Sequence, residues 1–137
     1  MKNIKDLIRW TPDLSVGIGD IDTQHREFIS ILQKLAENIG KNENQRIEDT
    51  IDFLEKYAEV HFNLEQMYMT VFSYPDSIEH INAHKEFKKE ITNLRKKADK
   101  KQLKIEDVNK KLKSYFFGHI KTIDMELASF LIKKIKI

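Results

Sequence analysis

All five histidines of the chain lie where apolar residues recur every three or four positions, on faces that helices would turn inward. In chain order they are His25, His61, His80, His84 and His119. Burying an imidazole without a partner costs on the order of 1–3 kcal/mol, so five inward histidines need a common explanation. A single one is usually a core residue bonded to a carbonyl, whereas five from four segments of the chain favour a metal site.

Two spacings suit metal binding from a single helix. His61 and Glu65 form H-x-x-x-E, and His80 and His84 form H-x-x-x-H. Side chains four positions apart project from the same face of a helix, so each pair could bind one ion. Either motif alone arises easily by chance, and it is the joint pattern that indicates a metal.

A third pair is less regular. His119 and Asp124 are five positions apart, which puts them about 140° out of phase on a regular α-helix. If both bind the same metal centre, the helix must widen locally or Asp124 must reach around it.

The number of candidate ligands suggests two ions. Five histidines and two carboxylates exceed the four to six positions of one first-row ion, but suit two ions bridged by Glu65, Asp124 and a solvent oxygen. Five histidines divide unequally, so one ion is six-coordinate and the other keeps an open position. A small diatomic ligand would fit there. The pattern differs from the carboxylate-rich Glu-x-x-His sites of ferritin-like oxidases.

The elements that position these side chains are predicted to be helices. Only four glycines and two prolines interrupt the chain, and no alternation of period two is sustained, so the fold class is all-α. We predict helices over about residues 21–39, 44–72 and 76–95, and from residue 105 onward. The first ends at Gly40, and Asp76 with Glu79 resembles a capping box.

The predicted inward faces combine these histidines with apolar residues. They carry Ile21, Phe28, Leu32, Leu35 and Ile39; Ile47, Ile51, Leu54, Ala58, Met69 and Phe72; Phe87, Ile91 and Leu94; and Val108, Leu112, Tyr115, Ile123, Leu127 and Phe130. Short connections imply an up-down-up-down four-helix bundle. We expect one domain over residues 1–137, with the bundle at 21–133. Residues 1–20 would form an irregular arm, packed over one end through Trp10 and Ile18.

Composition excludes several classes of function. Without cysteine there is no thiolate metal site, iron-sulfur cluster or disulfide. The 24 basic and 22 acidic residues leave a formal charge of +2, which gives no support for nucleic-acid binding. No apolar run approaches the ~20 residues of a membrane span and no leader peptide is evident, so we expect a soluble, cytoplasmic protein.

The chain resembles the hemerythrin family, specifically its single-domain bacterial members. The resemblance rests on W-x-P and SVGI-x-x-ID-x-QH between Trp10 and His25, on HFNLEQMYM, on YP followed by H-x-x-x-H-x-x-F, and on HI-x-x-x-D. It implies two iron ions (Fe2+/Fe3+) with a bridging oxo or hydroxo group and molecular oxygen as the ligand. One iron would be bound by His80, His84 and His119 and the other by His25 and His61, with Glu65 and Asp124 bridging.

The same resemblance implies a ligand pocket, although ordinary core packing would explain its residues equally well. The positions are Phe28, Phe62, Met69, Tyr115, Phe116 and Ile120. Tyr115 stands where many relatives have Trp, and Phe116 where Leu is common. Gln66 either supports Glu65 by a hydrogen bond or faces solvent, and Gly118 would permit close approach beside His119.

The resulting functional prediction is reversible oxygen binding for transport, storage or delivery, and not an enzyme. The alternatives are a di-iron enzyme that reduces nitric oxide or peroxide, for which Tyr115 is the one candidate proton source, and sensing of oxygen or iron through a partner protein of unknown identity. Replacing Glu65 should release both ions, whereas replacing Glu43 should affect only solvent-exposed structure.

Overall fold

The computed structural model describes residues 9–135, and every regular element within them is helical. The long helices are α1 (Gly19–Glu37), α2 (Glu43–Val71), α3 (Ser77–Asp99), α4 (Ile105–His119) and α5 (Met125–Ile135). A π-helical segment, Ile120–Asp124, joins α4 to α5, and the three form the fourth long helix of the bundle. The predicted all-α four-helix bundle is confirmed. Residues 1–8 of the predicted arm and residues 136–137 lie outside the described part.

The connections make consecutive helices run side by side in opposite directions. Residues 38–42, 72–76 and 100–104 form connections of five residues each. Ser73 and Lys101 both adopt a left-handed conformation at φ 54°, which lets the chain turn back at the ends of α2 and α3. There Tyr74 N donates to Met69 O at 2.9 Å and Gln102 N to Lys97 O at 3.0 Å, which satisfies carbonyls at the helix ends.

Two local predictions about helix ends were wrong. Helix α1 ends at Glu37, three residues before Gly40, so Ile39 lies beyond the helix and is 41% exposed instead of facing the core. Asp76 does occupy the position before α3, but its side chain makes no capping hydrogen bond, so the capping box is not formed.

The residues before α1 pack onto the bundle. A short 3-10 helix, Pro12–Leu14, buries Leu14, while Trp10 and Ile18 pack against the buried core. The guanidinium of Arg26 on α1 lies 4.9 Å from the centre of the Trp10 ring. Gly17 adopts φ 82° between these residues and α1.

Asn109 on α4 is one of several polar residues buried inside the bundle, and it faces α1. Asn109 is fully buried and donates through Nδ2 to Leu32 O at 3.0 Å. This hydrogen bond links α1 to α4. The periodicity of apolar residues predicts an inward face for each helix, but it does not predict this contact. None of the helices that the structure describes is long and apolar enough to cross a membrane.

Candidate metal centre

The side chains of the seven predicted ligands come together in the middle of the bundle. They are His25 from α1, His61 and Glu65 from α2, His80 and His84 from α3, His119 from α4 and Asp124 from the π-helical segment. None is more than 7% exposed. All five imidazoles present Nε2 to one or both carboxylates.

Glu65 is the meeting point of α2 and α3. Its Oε1 lies 3.0 Å from His61 Nε2, 3.1 Å from His80 Nε2 and 3.0 Å from His84 Nε2. The two i, i+4 pairs thus meet on one oxygen, as expected for side chains that share a helix face.

Asp124 connects the remaining helices to the cluster. Its Oδ2 lies 2.7 Å from His25 Nε2 and 3.3 Å from His61 Nε2. Its Oδ1 lies 2.8 Å from His119 Nε2 and 3.5 Å from His80 Nε2. Asp124 is therefore close to one histidine from each of the four long helices of the bundle. His84 is the one histidine of the cluster for which no such contact is described.

The π-helical segment explains how His119 and Asp124 reach the same place. A π-helix closes its hydrogen bonds from i to i+5, so positions five apart come closer to one face than they do on an α-helix. Of the two routes that the sequence left open, the structure contains the local widening. Thr122 Oγ1 donates to Gly118 O at 2.5 Å, which gives that carbonyl a partner at the widened turn.

Burial and the two carboxylate charges compete in setting the pKa values of the cluster. Burial raises the pKa of Glu65, as does the charge of Asp124, but the charge and contacts of His61 and His80 outweigh them and lower it to about 2. Burial likewise opposes ionisation of Asp124, yet His119 and His25 hold its pKa well below its usual range. Both carboxylates are therefore ionised at neutral pH.

The imidazoles divide in their response to the same environment. Burial lowers the pKa of His61, but the charge of Glu65 and the contact with Asp124 raise it to about 10. For His84 burial dominates, and the pKa falls to about 4 despite the nearby Glu65. The metal-free cluster thus holds a proton on His61 that a bound cation would displace.

Unpaired buried atoms indicate that a cation fits this cluster. Among the described residues, His61 Nε2, His119 Nε2, Glu65 Oε2 and Asp124 Oδ1 are buried without hydrogen-bond geometry to any partner. Such atoms are rare in folded proteins, and coordination of a metal would satisfy them.

The candidate ligand atoms lie within 4.8 Å of one another in two groups that share Asp124. The first is Glu65, His80, His84, His119 and Asp124, and the second is His25, His61 and Asp124. Imidazole and carboxylate donors suit first-row ions.

The predicted pocket residues do not all lie in one place. Phe28 packs between the rings of Tyr115 and Phe116, with centres 6.4 and 5.1 Å away. Phe62 stacks on His84 at 3.8 Å. Met69 belongs instead to a separate buried cluster with Tyr74, Leu127 and Leu131. The Ile120 side chain lies outside the described residues.

Two of these residues, Tyr115 and Phe116, also contact a histidine of the cluster. Tyr115 stacks on His119 at 5.0 Å, and Phe116 meets His25 edge-on at 5.6 Å. The Tyr115 hydroxyl is buried without a partner in the part of the chain that the structure describes. Burial raises the pKa of Tyr115 well above its usual value.

Sequence reasoning missed three neighbours of the cluster. Tyr57 stacks on His61 at 5.1 Å, and its position four residues before that histidine could have indicated it. Phe87, predicted only as core, stacks on Tyr115 at 3.9 Å. Gln24 Oε1 accepts a hydrogen bond from His61 Nδ1 at 2.7 Å, a contact between helices for which the sequence carries no spacing signal.

Three supporting roles that the sequence suggested are corrected or resolved. Gln66 is exposed, so it faces solvent and does not support Glu65. A Cβ placed on Gly118 would meet nothing within 4 Å, so close approach does not explain this glycine. Glu43 is not a solvent-only residue, because its carboxylate accepts hydrogen bonds from Gly40 N at 2.7 Å and Ile105 N at 2.9 Å.

Comparison with known proteins gives a consistent picture. The chain matches the family described as "Hemerythrin HHE cation binding domain" over residues 16–131. It is 29% identical over 124 residues to a bacteriohemerythrin of Stenotrophomonas maltophilia, covering 89% of this chain and 80% of that protein. It is 33% identical over 87 residues to a bacteriohemerythrin of Clostridium acetobutylicum, covering 60% of this chain and 67% of that protein. A crystal structure of a leucine-to-tyrosine mutant of hemerythrin matches the fold with a TM-score of 0.81 at 23% identity, over 91% of this chain and 97% of that one.

Proposed function

The chain belongs to the hemerythrin family, and from that premise we propose that it binds molecular oxygen reversibly at a non-haem di-iron centre. The observation that carries the proposal is the buried cluster of five imidazoles and two carboxylates, arranged as two groups of ligand atoms that share Asp124. The alternatives that the sequence left open use the same metal, so what separates them is the surroundings of the cluster.

We assign the ligands by the two groups. His80, His84 and His119 would hold one iron, and His25 and His61 would hold the other. Asp124 bridges them, since its two oxygens face different histidines. Glu65 is assigned as the second bridge, because its Oε1 lies near His61 as well as near the histidines of α3.

Because the five histidines divide into three and two, an iron held by His25 and His61 would have one protein ligand fewer than its neighbour and would be the one with room for oxygen. A ferrous pair held there would supply the electrons for reversible binding of oxygen. The protein's own contribution is to fix five imidazoles by helix packing and to keep both carboxylates ionised, as their lowered pKa values imply.

The surroundings favour binding over turnover. Phe28, Phe62 and Phe116 are at most 2% exposed, so water is excluded from one side of the cluster. Reduction of nitric oxide or peroxide needs a proton donor. The tyrosines nearest the histidines, Tyr57 and Tyr115, are poor donors because burial raises both pKa values well above the usual value. We therefore favour an oxygen carrier, store or delivery protein.

Repeated oxygenation of the iron-loaded protein tests the proposal. The anaerobic di-ferrous protein should develop a new visible absorption in oxygen and lose it under inert gas, over several cycles and without loss of iron. Irreversible oxidation in the first cycle, or sustained consumption of nitric oxide or peroxide with a reductant, would contradict it.

Anion binding tests the open position separately. Azide added to the di-ferric protein should saturate at one anion per iron pair, because the iron held by three histidines would have no vacancy. Saturation at two anions per pair would overturn the asymmetric assignment while leaving the family membership intact.

A further inference from the structure

One histidine of the cluster has its second ring nitrogen bound by a side chain from another helix. His61 Nδ1 lies 2.7 Å from Gln24 Oε1, 37 positions away in sequence. A carbonyl oxygen can only accept a hydrogen bond, so the proton must be on Nδ1. The opposite nitrogen, Nε2, is the one directed at Glu65 and Asp124.

Two other histidines of the cluster lack such a partner. His25 Nδ1 and His80 Nδ1 are buried and have no hydrogen-bond partner among residues 9–135. His61 is also held on its face, because Tyr57 stacks on it with an angle of only 11° between the rings. Its orientation is therefore set from two directions before any metal arrives.

The hydrogen bond lies at the surface end of the cluster. Gln24 is half-buried and lines a cavity of about 240 Å³ together with Glu27, Phe53, Lys56, Tyr57 and Val60. A substitution of Gln24 can therefore change the acceptor without opening a void in the core.

We infer that Gln24 is a positioning residue that fixes the Nδ1–H form of His61 and, as a neutral acceptor, sets the affinity and reduction potential of the iron that His61 binds. The inference rests on the proposed function. An acceptor on the outer nitrogen orients the ring and raises its basicity as a ligand. A neutral amide does so less than a carboxylate, and a more basic ligand favours the ferric state.

Two substitutions separate the chemical role from a packing role. Gln24→Leu removes the acceptor while keeping an apolar stem, and Gln24→Glu keeps the acceptor and adds charge. Gln66→Leu is the matched control, because Gln66 is exposed on α2 beside Glu65. At pH 8 we would measure zinc affinity by competition with a chelator, and the reduction potential of the di-ferric protein.

Gln24→Leu should bind the more weakly held zinc ion roughly 10- to 100-fold less tightly, the usual cost of losing such a partner, and its iron potential should rise. Gln24→Glu should retain zinc and lower the potential, and Gln66→Leu should match the unmodified protein. The inference is overturned if Gln24→Leu equals Gln66→Leu in both measurements, or if Gln24→Glu weakens zinc as much as Gln24→Leu. If Gln24→Leu does not fold, the reduction potential of Gln24→Glu decides the question. A lower potential supports the inference, and an unchanged or higher potential overturns it.

The same experiment distinguishes this inference from the proposed function. An unmodified protein that binds two zinc ions but no iron pair contradicts the di-iron proposal, while the zinc affinities of the Gln24 variants still decide the role of Gln24. An unmodified protein that binds neither metal contradicts both.

Discussion

Glu65 has the most histidine contacts on a single oxygen, since three imidazole nitrogens lie within 3.1 Å of its Oε1. Glu65→Gln keeps the shape but removes the charge that two cations would share. Iron loss to a chelator should accelerate by at least about tenfold, the lower end of the cost of losing a supporting group. The iron content that remains after timed dialysis against the chelator measures the rate of iron loss.

Glu59→Gln is the control for this prediction, because Glu59 is an exposed glutamate on the same helix. Glu43, with which the sequence analysis contrasted Glu65, is unsuitable as a control because its carboxylate accepts two backbone hydrogen bonds. Equal iron loss from the Glu65 and Glu59 variants would show that Glu65 binds no metal.

The pKa values of two histidines predict a stability optimum for the metal-free protein. The raised pKa of His61 gives stability that is complete below about pH 6.5 and is lost as the pH rises toward about 10. The lowered pKa of His84 acts in the other direction, so stability is lost as the pH falls from about 6.5 toward about 4. Denaturant unfolding of the metal-free protein should therefore give its highest free energy near pH 6.5.

Metal binding should remove the alkaline side of this profile, because a bound cation replaces the proton on His61. The iron-loaded protein should keep its stability from pH 7 to 9 and lose iron as the pH falls. A metal-free protein whose unfolding free energy rises steadily from pH 6.5 to 9 would contradict the assignment of the His61 proton.

At the scale of elements, Glu43 links the start of α2 to the start of α4. It accepts hydrogen bonds from Gly40 N before α2 and from Ile105 N at the first residue of α4. The two backbone hydrogen bonds lower its pKa despite some burial. A carboxylate at a helix N-terminus is stabilised by unpaired amide protons, so Glu43 caps α4 from a distance of 62 residues in sequence.

Glu43→Ala should therefore lower the free energy of unfolding by roughly 1 kcal/mol without changing the iron content. The loss should be largest above pH 4.5, where the carboxylate is charged, and should shrink as the pH falls below that value. Urea unfolding at pH 7 and pH 3.5 measures the loss of unfolding free energy and its dependence on pH. An equal loss at the two pH values would mean that packing, not charge, accounts for it.

Gly118 lies in α4 next to His119, just before the π-helical segment. Its backbone has no positive φ, and an added Cβ would touch nothing. Gly118→Ala should raise the free energy of unfolding by roughly 0.5–1 kcal/mol, because alanine loses less backbone entropy in a helix. Iron content should not change. A loss of stability, or of iron, would instead show that the widened turn needs the glycine.

At the scale of the whole molecule, the segment before α1 is held against the last helix. Gly17 has φ 82°, and a Cβ there would lie 2.9 Å from Ile132 Cδ1 on α5. The Ile132 methyl can move aside, so the backbone conformation is the main obstacle. Gly17→Ala should cost roughly 1–2 kcal/mol of unfolding free energy.

Gly19→Ala is the matched control, since Gly19 has no positive φ and its added Cβ would meet nothing within 4 Å. Thermal unfolding of both variants compares them directly. If Gly17→Ala were as stable as Gly19→Ala, the segment before α1 would be free to rearrange without cost.

The sequence alone determined the helical class and the identity of the clustered residues. The reason is chemical: imidazoles on apolar helix faces are unfavourable without a partner, so their positions reveal a shared site. The i, i+4 spacings also predicted which residues share a face, as with His61 and Glu65. These inferences need only the geometry of a single helix.

Tertiary structure decided everything that depends on how the helices are rotated and shifted against one another. Gln24 meets His61 across 37 residues, Glu43 meets Ile105 across 62, and Met69 packs in a different cluster from Phe28. The period of apolar residues defines an inward face but leaves axial register and rotation open within tens of degrees. Hydrogen bonds between helices depend on shifts of about an ångström, so only the packed bundle selects these partners.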